Sequence, residues 1–478
     1  MKTGIRWRWS ELFVLVAGLL VGAFLFYYSG ISLAEHETRA VTFLFGLFLL
    51  WSVGLFILIK SKRKGRFEGT KAQRILAAVP VCCGLFAALL LLPTASKPVV
   101  DDPKEQKARH ARYDARKQPG GGFFVKPIQD KAGDVLTLTI YDICVGRISH
   151  RIHRDGPVNP KRVEVIDPAV LTQQIKDDAR SLGAHVVGIA RLNPDYVFSH
   201  DNYGKPVNIS HKFAIVIGVG MNYRLASPSA PLPYEDYYSA LPEDIAAELS
   251  GIMKKSSLKV PEHVVREVRE TMEFFSEGGS AAVQLAQYIR KLGYPARAHL
   301  HNRAGEVQII PIAIDAGLGQ MGKNGMLINK KIGPRGSFCV VTTDLPLVPD
   351  VPVDMGIIEF CSACNKCAIS CPVQAIPYGE PTSVNGVLKW PLDGEKCFEF
   401  LVSNPKCMAC MGSCPYNKQD YFVHRAATWL IARRSAVSNR LLIWLDDILG
   451  YGKSSMVYMK SDEHTKRPDS DSAQALGR

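Results

Sequence analysis

Charged residues are nearly absent from three stretches near the N-terminus, at 11–29, 40–59 and 75–92. Each stretch is close to the length of about 20 residues that a helix needs to cross a bilayer. A cleaved signal peptide has a single apolar segment of about 7–15 residues, so three successive stretches argue against one. We therefore predict a three-helix transmembrane anchor over residues 1–93, in contact with membrane lipid. Three buried core helices are the alternative.

Strong bases are also scarce in the loop 31–39, where Arg39 is the only one. By contrast, three precede the first stretch and seven lie between residues 60 and 74. Because basic loops stay in the cytoplasm, we predict a multi-pass inner-membrane protein whose chain after about residue 93 is periplasmic. Arg6-Trp7-Arg8 resembles a twin-arginine export signal only loosely, which leaves the export route open.

No stretch interleaves basic with aromatic residues, despite a formal net charge of +13. Much of the positive charge lies in residues 60–74 and 104–117. Membrane topology explains the first segment, and the second is typical of a solvated linker beside a membrane surface. We therefore expect no nucleic-acid partner.

The chain has no evident internal repeat, and its composition divides the remainder into four parts. Residues 94–129 are rich in Lys, Arg, Pro and Gly, which predicts a linker. Strand-like and helical patterns alternate over 130–352, which predicts an α/β fold class, with α+β left open. A cysteine-rich domain follows over 353–420, and a helical tail over 421–478.

The periodicity of apolar residues predicts individual elements within 130–352. Strands are predicted at 134–148, 185–190, 213–219 and 307–314. Helices are predicted at 170–182, ended by Gly183, and at 242–255, 262–276 and 280–292.

Eight of the twelve cysteines fall between residues 361 and 414. They form the runs Cys361-x2-Cys364-x2-Cys367-x3-Cys371-Pro372 and Cys397, Cys407-x2-Cys410-x3-Cys414-Pro415. The first run has the spacing of two-cluster ferredoxins, in which the fourth cysteine binds the other cluster. We therefore predict two [4Fe-4S] clusters, one held by Cys361, Cys364, Cys367 and Cys414, the other by Cys371, Cys397, Cys407 and Cys410.

Disulfides and zinc sites are the competing interpretations of these cysteines. Three cysteines two residues apart would strain as disulfides, and zinc sites rarely show such a run ending in Cys-Pro. The other four cysteines, at 82, 83, 144 and 339, are predicted to be packing residues.

A glycine-rich loop, Gly317-x-Gly319-x-x-Gly322, matches the dinucleotide-binding pattern G-x-G-x-x-G. The dinucleotide version should open a long helix and reach a second strand that ends in an acid. Here Asn329-Lys330-Lys331 and Gly333-Pro334 interrupt that pattern within about ten residues. The loop therefore argues against a nicotinamide cofactor.

The segment Asp315–Ile328 resembles the glycine-rich segment of corrinoid-dependent reductive dehalogenases, a family related to the epoxyqueuosine reductases. Gly333-Pro334-Arg335, Thr343–Leu347 and the paired cysteine motifs follow in that family's order. Residues 175–190 and 285–294 are similar to it as well. The resemblance covers about residues 130–420.

This resemblance implies a nitroreductase-like corrinoid-binding catalytic domain over 130–352 and a ferredoxin-like domain over 353–420. The resemblance also implies a cobalamin-type corrinoid bound base-off, and the absence of the histidine-on motif D-x-H-x-x-G agrees with this. By the same resemblance Gly317, Gly319, Gly322 and Asp344 would pack along the corrinoid edge, and Asn302 would line the pocket.

The family also pairs a tyrosine acid with a nearby Lys or Arg, whose charge favours the tyrosinate. Lys323 falls where that basic residue is expected. Glu273-Phe274-Phe275-Ser276 stands where the tyrosine is expected, so Glu273 is a candidate acid, or a solvated helix residue. Four tyrosines are the alternatives, at 223, 234, 237 and 238.

These features predict a membrane-anchored oxidoreductase that replaces the halide of an organohalide with hydrogen at a corrinoid cobalt. Its electrons would come from a ferredoxin, a flavoprotein or a quinol-linked donor, and would enter near Glu35-His36-Glu37. The chain lacks a histidine pair in its apolar stretches, so we do not expect it to oxidise quinol alone. The alternatives are an epoxyqueuosine-reductase-like corrinoid enzyme and a membrane-bound ferredoxin-type electron carrier.

Overall fold

The computed structural model describes residues 9–35, 37–63, 154–201, 205–221, 223, 262–300, 305–384, 387–403 and 407–452. All structural statements below concern these ranges. The predicted third span at 75–92, the linker at 94–129, and the elements predicted at 134–148 and 242–255 lie outside them.

The described residues form eleven α-helices and eight strands. The helices are α1 Trp9–Ala34, α2 Thr38–Arg63, α3 Pro168–Ser181, α4 Glu262–Lys291, α5 Ile309–Asp315, α6 Ile357–Ala363, α7 Lys366–Ser370, α8 Gly394–Ser403, α9 Ala409–Gly412, α10 Phe422–Ile431 and α11 Ala436–Leu449. The strands are β1 Val186–Arg191, β2 Phe213–Gly220, β3 Ala296–His299, β4 Gln320–Met321, β5 Leu327–Ile328, β6 Gly336–Thr343, β7 Thr382–Val384 and β8 Val387–Lys389.

The first two helices form a hairpin. Each contains a window long and apolar enough to cross a membrane, at Leu15–Ala34 in α1 and Thr38–Phe56 in α2. The Trp51 indole donates a hydrogen bond of 2.8 Å to the Gly18 carbonyl, which fixes the two helices against each other. Two of the three predicted apolar stretches are therefore long helices in the structure.

The central sheet has the strand order β1-β2-β6-β3, and all its pairs are antiparallel. Parallel neighbours would each need a crossover connection, which is the mark of an α/β fold. The domain is therefore α+β, and the α/β fold class predicted from the sequence is wrong in this respect.

Both faces of the sheet are covered, and β2 shows how. Ile215 and Ile217 belong to a core shared with α3 and α4, whereas Ala214 and Val216 belong to a core shared with α5. Successive side chains of a strand point to opposite faces, so one apolar strand supplies both cores.

The helices predicted at 262–276 and 280–292 are one continuous helix, α4. Gly278 and Gly279 lie in its middle without ending it. A Cβ at Gly278 would meet Cys339 and Val219 at 3.5 Å, an ordinary contact distance. The two glycines therefore neither break the helix nor are required there by a close approach.

The strand predicted at 307–314 is wrong. Only Val307 pairs in a strand-like way, with Val197, and Ile309–Asp315 is the helix α5. Pro311 is tolerated because it falls in the first helical turn, where its missing N–H leaves no helical bond unmade. The other predicted elements, at 170–182, 185–190 and 213–219, correspond to α3, β1 and β2.

Candidate functional site

Four thiols come together at the start of the cysteine-rich domain, and we call them the first thiol group. Cys361 lies in α6, Cys364 ends that helix, Cys367 lies in α7, and Cys414 follows α9. Burial raises the pKa of Cys361 and of Cys367 to about 12. Burial also raises the pKa of Cys414, and so do the charges of the other three, which places Cys414 beside them.

The other four thiols form the second thiol group. Burial raises the pKa of Cys407 to about 11, with added repulsion from Cys397 and Cys371. The pKa of Cys410 is raised by burial, then by Cys367 of the first group and by the other three members of its own. The chain therefore crosses over, since Cys371 and Cys414 each lie with the opposite run. The two thiol groups have the same members as the two predicted ligand sets, whose assignment to clusters stays a prediction.

The thiol groups have the donor chemistry that an iron–sulfur cluster requires. Buried thiols with a raised pKa keep their protons unless a metal cation displaces them. The thiolates that result are soft ligands of the kind that iron–sulfur clusters bind. Within the ranges described, no three His, Cys, Asp or Glu side chains converge as they would on a single metal ion.

Two buried hydroxyls lie near the first thiol group without a hydrogen-bond partner among the described residues. They belong to Ser413 and Tyr416. Burial raises the pKa of Tyr416, and the charges of Cys361 and Cys414 raise it further, so its hydroxyl lies close to these sulfurs. A bound cluster would offer sulfide acceptors to such donors, so these hydroxyls fit one.

Lys323 lies directly against the first thiol group. Its backbone lies close enough to Cys361 to lower the pKa of that thiol, and its ammonium donates to the Asn365 side chain at 2.5 Å. The ammonium also lies 5.4 Å from the centre of the Trp390 ring. Burial lowers the pKa of Lys323, while the thiolates of the group act in the opposite direction. The predicted basic residue is thus a buried cation between the glycine-rich loop and the cysteines.

The glycine-rich loop is folded onto itself. The amides of Gly317 and Gly322 donate to backbone carbonyls of the same segment at 3.0 and 2.9 Å. Gly319 has a φ of +155°, and a Cβ there would lie 2.1 Å from the Ile328 carbonyl oxygen. The loop continues into the β4–β5 hairpin and not into a long helix. The glycines therefore allow the tight fold that brings Lys323 to the cysteines.

Asp344 lies apart from these residues. It follows the end of β6, and its carboxylate accepts a hydrogen bond from the Lys212 amide at 3.1 Å. Arg335, which contacts the cysteine-rich domain, precedes the other end of the same strand. Eight residues at about 3.3 Å each separate the two ends by roughly 25 Å. The structure does not bring Asp344 together with Lys323.

The remaining candidates are only partly described. Glu273 lies in α4, where the structure describes the backbone but not this side chain. Asn302, Tyr234, Tyr237 and Tyr238 lie outside the described residues. Tyr223 is buried, and its ring lies 5.7 Å from the Arg335 guanidinium.

Arg335 connects the sheet to the cysteine-rich domain, a role that the sequence did not predict. Its guanidinium donates to the Met221 carbonyl at 2.8 Å and to the Lys418 carbonyl at 2.9 Å. Burial lowers the pKa of this guanidinium. The only sequence signal was its place in the segment Gly333-Pro334-Arg335.

Glu35, at the turn of the helical hairpin, is fully buried against the C-terminal part of the chain. It accepts hydrogen bonds from the His424 ring at 3.1 Å, the Tyr451 hydroxyl at 2.7 Å and the Gln419 amide at 3.2 Å. Burial alone would raise the pKa of Glu35, but the hydrogen bond and charge of His424 and the charge of Lys418 lower it.

Buried charges continue from this turn to the cysteines. The Lys418 ammonium lies 2.9 Å from the Asp446 carboxylate, which also binds Lys366. Lys366 stands between Cys364 and Cys367 in the chain, and its charge lowers the pKa of Cys364 against the larger effect of burial. The hairpin turn is thus linked to the first thiol group through buried polar side chains.

A family model described as a 4Fe-4S dicluster domain matches residues 360–418. The chain is 31% identical over 301 residues to the tetrachloroethene reductive dehalogenase of Sulfurospirillum multivorans, covering 60% of this chain and 58% of the relative. It is 38% identical over 165 residues to that of Desulfitobacterium hafniense, covering 32% and 29%. It is 30% identical over 123 residues to the epoxyqueuosine reductase of Cyclobacterium marinum, covering 22% and 36%.

Among solved structures, the fold is similar to the catabolic reductive dehalogenase NpRdhA in complex with 3-bromo-4-hydroxybenzoic acid. The TM-score is 0.54 with 27% identity, covering 73% of this chain and 46% of that one. The cysteine-rich part of the chain is therefore a 4Fe-4S dicluster domain. Beyond that domain, the chain is similar to reductive dehalogenases in sequence and in fold. The matches span between 25% and 58% of the length of these reductive dehalogenases.

Proposed function

We propose that this chain is a reductive dehalogenase-type oxidoreductase acting on an organohalide. Two electrons and one proton replace the carbon–halogen bond with a carbon–hydrogen bond and release halide. The observation that supports the proposal most is the pairing of two buried four-thiol groups with an α+β domain similar to NpRdhA.

The two thiol groups each hold one [4Fe-4S] cluster in this proposal. The first cluster is held by Cys361, Cys364, Cys367 and Cys414, and the second by Cys371, Cys397, Cys407 and Cys410. The first is the donor to the α+β domain, because Cys361 lies close to the Lys323 backbone there. The position of Cys410 next to Cys367 gives the second cluster a short path to the first.

The corrinoid part of the proposal comes from the relatives. One similar solved structure is described as suggesting a mechanism for B12-dependent dehalogenation. A cobalamin-type corrinoid, when bound, would supply the chemistry of carbon–halogen cleavage. The Gly317 and Gly322 amides are already paired within the chain, so corrinoid contacts through Gly319, Asp344 and Asn302 are the ones left to test.

Lys323 has two tasks in this proposal. Its ammonium lies beside the thiolates of the first group and offsets part of the negative charge that a reduced cluster carries. Its position after the glycine-rich loop is also where the family has the base that assists proton delivery. Glu273 is proposed as the acid that supplies the proton.

Membrane attachment is proposed through the hairpin of α1 and α2, whose windows have the length and apolarity of membrane spans. A third span at 75–92 and a periplasmic position of the catalytic domain complete the proposed arrangement. Electrons would come from a ferredoxin, a flavoprotein or a quinol-linked donor.

Metal analysis and halide release test the proposal together. The anaerobically purified full chain should contain about eight irons, as two [4Fe-4S] clusters require, together with cobalt. It should release halide from an organohalide in the presence of a strong reductant. Iron without cobalt would contradict the corrinoid and favour an electron carrier, and reduction of epoxyqueuosine without halide release would favour the reductase relatives.

A matched pair of variants assigns any activity to the proposed site. Lys323→Gln removes the buried charge and should lower halide release at least about tenfold, a loss of about 1.4 kcal/mol in transition-state stabilisation. Lys396→Gln is the control, because Lys396 is an exposed lysine paired with Asp393 in the cysteine-rich domain. Equal activity of the two variants would contradict the role of Lys323.

A further inference from the structure

Helix α11 buries several polar residues and exposes several apolar ones, although Leu442, Ile443 and Leu449 face the protein. Its buried residues include the polar Ser438, Asn439 and Asp446. Its outward face carries Val437 at 38% exposure, Trp444 at 57% and Leu445 at 37%. Surface helices normally bury the apolar stripe and expose the polar one, so an apolar environment is expected outside α11.

Helix α10 shows large aromatic residues on its outward face as well. Phe422 is 62% exposed and Trp429 is 49% exposed, seven residues apart and so on the same side of the helix. The Arg433 guanidinium lies 4.4 Å from the centre of the Trp429 ring. We call Phe422, Trp429, Val437, Trp444 and Leu445 the aromatic surface.

Both helices reach the hairpin near its turn. Leu449 and Tyr451, at the end of α11, pack with Ala40 and Leu44 of α2. Leu44 is six residues into α2, or about 9 Å along its axis at about 1.5 Å per residue. The end of α11 therefore lies level with the first turns of the apolar helix, past the hairpin turn.

The N-terminal end of α10 makes a matching contact with α1. The His424 ring lies edge-on to the Tyr28 ring with centroids 6.0 Å apart. The aromatic surface is therefore carried by helices whose ends contact the hairpin at the level where it would leave a membrane.

The segment 422–445, which covers α10 and most of α11, carries only positive charge. Residues 422–445 contain four arginines, at 425, 433, 434 and 440, and no Asp or Glu. Trp is enriched where proteins meet the bilayer interface, and helices that combine aromatic and basic residues bind anionic lipid surfaces. The composition of this segment and its position beside the hairpin therefore both favour an anionic lipid surface as its partner.

We propose that α10 and α11 lie in the headgroup region of the bilayer that the hairpin spans. The aromatic surface enters the boundary between headgroups and acyl chains, and Arg433 and Arg440 contact the phosphates of anionic lipids. Arg425 and Arg434 are instead paired with carboxylates of the protein. This inference rests on the proposed membrane anchoring. It adds a second, peripheral attachment that holds the cysteine-rich domain at a fixed height above the membrane.

Quenching of tryptophan fluorescence by brominated lipids tests this inference on the full chain in lipid nanodiscs. The emission of each tryptophan is obtained as the difference between the parent and the variants Trp429→Phe and Trp444→Phe. We expect both to lose most of their emission in lipids brominated near the headgroup, relative to unbrominated lipid. Lipids brominated near the end of the acyl chain should quench them less.

Two further variants serve as controls. Trp51→Phe reports on α2, where Trp51 is 42% exposed, and Trp390→Phe reports on a tryptophan that is 3% exposed in the cysteine-rich domain. Quenching of Trp51 without quenching of Trp429 and Trp444 would overturn this inference and leave the anchor standing. Absence of quenching at Trp51 would contradict the anchor itself. If Trp429 and Trp444 are shielded from solvent but not quenched, a protein surface covers them, which also overturns the inference.

The lipid charge is tested with brominated phosphatidylglycerol against brominated phosphatidylcholine. The anionic lipid should quench Trp429 and Trp444 more strongly. That preference should be lost in the double variant Arg433→Gln and Arg440→Gln, and kept in Arg180→Gln, whose arginine lies in α3 with 46% of its side chain exposed. Equal quenching by both lipids in the parent would overturn the part played by the arginines.

Discussion

Glu35 is a buried carboxylate that joins the hairpin turn to the C-terminal part of the chain. Three hydrogen-bond donors surround it, from His424, Tyr451 and the Gln419 amide. A buried carboxylate keeps its charge only when such partners replace the lost water. Because the residues are almost 400 positions apart in sequence, no local pattern could have revealed this contact.

Glu35→Gln should destabilise the protein by about 3–5 kcal/mol, as removal of one partner of a buried ion pair does. The folded pKa of Glu35 lies below its usual value of 4.5, so its contribution is present above pH 4.5 and lost as the pH falls through the folded pKa. Thermal unfolding between pH 7 and pH 4 should therefore separate parent and variant most at pH 7.

The exposed residue Glu164 provides the control for this prediction. Glu164→Gln should follow the parent at every pH. If Glu35→Gln unfolds at the parent's temperature at pH 7, the carboxylate does not join the two parts of the protein.

Tyr416 is the residue whose hydroxyl fits a cluster acceptor. Hydrogen bonds to cluster sulfurs raise the reduction potential, because they stabilise the additional negative charge. Tyr416→Phe should therefore make the potential of one cluster more negative, while the edge-on contact of the ring with Phe360 is retained. A redox titration followed by electron paramagnetic resonance measures the change.

Tyr378→Phe is the matched control, because Tyr378 is 58% exposed in the same domain. Its potentials should equal those of the parent. Unchanged potentials in Tyr416→Phe would show that the hydroxyl does not donate to a cluster.

At the scale of elements, the β4–β5 hairpin depends on the glycines before it. Gly319 is the most restricted of them, since any Cβ there would overlap the Ile328 carbonyl. Gly319→Ala should cost about 3 kcal/mol by this steric mechanism, and should displace Lys323 from Cys361. We expect a lower unfolding temperature and a weaker visible absorption of the iron–sulfur chromophore.

Gly54→Ala is the appropriate comparison, because a Cβ at Gly54 meets nothing within 4 Å. It should leave absorption and unfolding temperature unchanged. A Gly319→Ala protein with the parent's absorption and stability would show that the loop tolerates a side chain there.

Elements were predictable where apolar spacing alone decides them. In α3, Leu171, Ile175 and Ala179 recur at helical spacing and Gly183 adopts a φ of +103° after the helix. The run at 307–314 was misread because short apolar runs fit a buried strand and a buried helix equally well. Over α4 the apolar pattern predicts two helices, yet the helix continues through Gly278 and Gly279, where a Cβ would meet its neighbours only at ordinary contact distances.

At the scale of the whole molecule, Arg335 holds the α+β domain to the cysteine-rich domain through two carbonyls. Arg335→Lys should lose one of these contacts, because an ammonium cannot match the fork of a guanidinium. We expect a loss of about 1.5–3 kcal/mol, the usual worth of a hydrogen bond to a charged group. Thermal unfolding measures this loss of stability, and limited proteolysis shows whether the chain between the two domains becomes easier to cleave.

Arg180→Lys is the control for this change, since Arg180 forms an exposed pair with Asp177 within α3. It should behave as the parent does. Resistance to proteolysis in Arg335→Lys equal to that of the parent would show that other contacts hold the two domains.

The presence of a 4Fe-4S dicluster domain was predictable from sequence because ligand spacing is local. The exchange of the fourth ligands between the two runs stays a prediction. The way the hairpin, the sheet and the cysteine-rich domain meet was not predictable. Those contacts depend on single buried side chains, Glu35 and Arg335, whose partners lie in distant segments.

The most direct test of the account is whether the two cysteine runs exchange their fourth ligands. Electron paramagnetic resonance of the anaerobically reduced full chain should resolve two cluster signals. Cys414→Ser should change the same signal as Cys361→Ser, and Cys371→Ser the same signal as Cys407→Ser. If Cys414→Ser instead changes the signal affected by Cys407→Ser, or if no cluster signal is found, the account is contradicted.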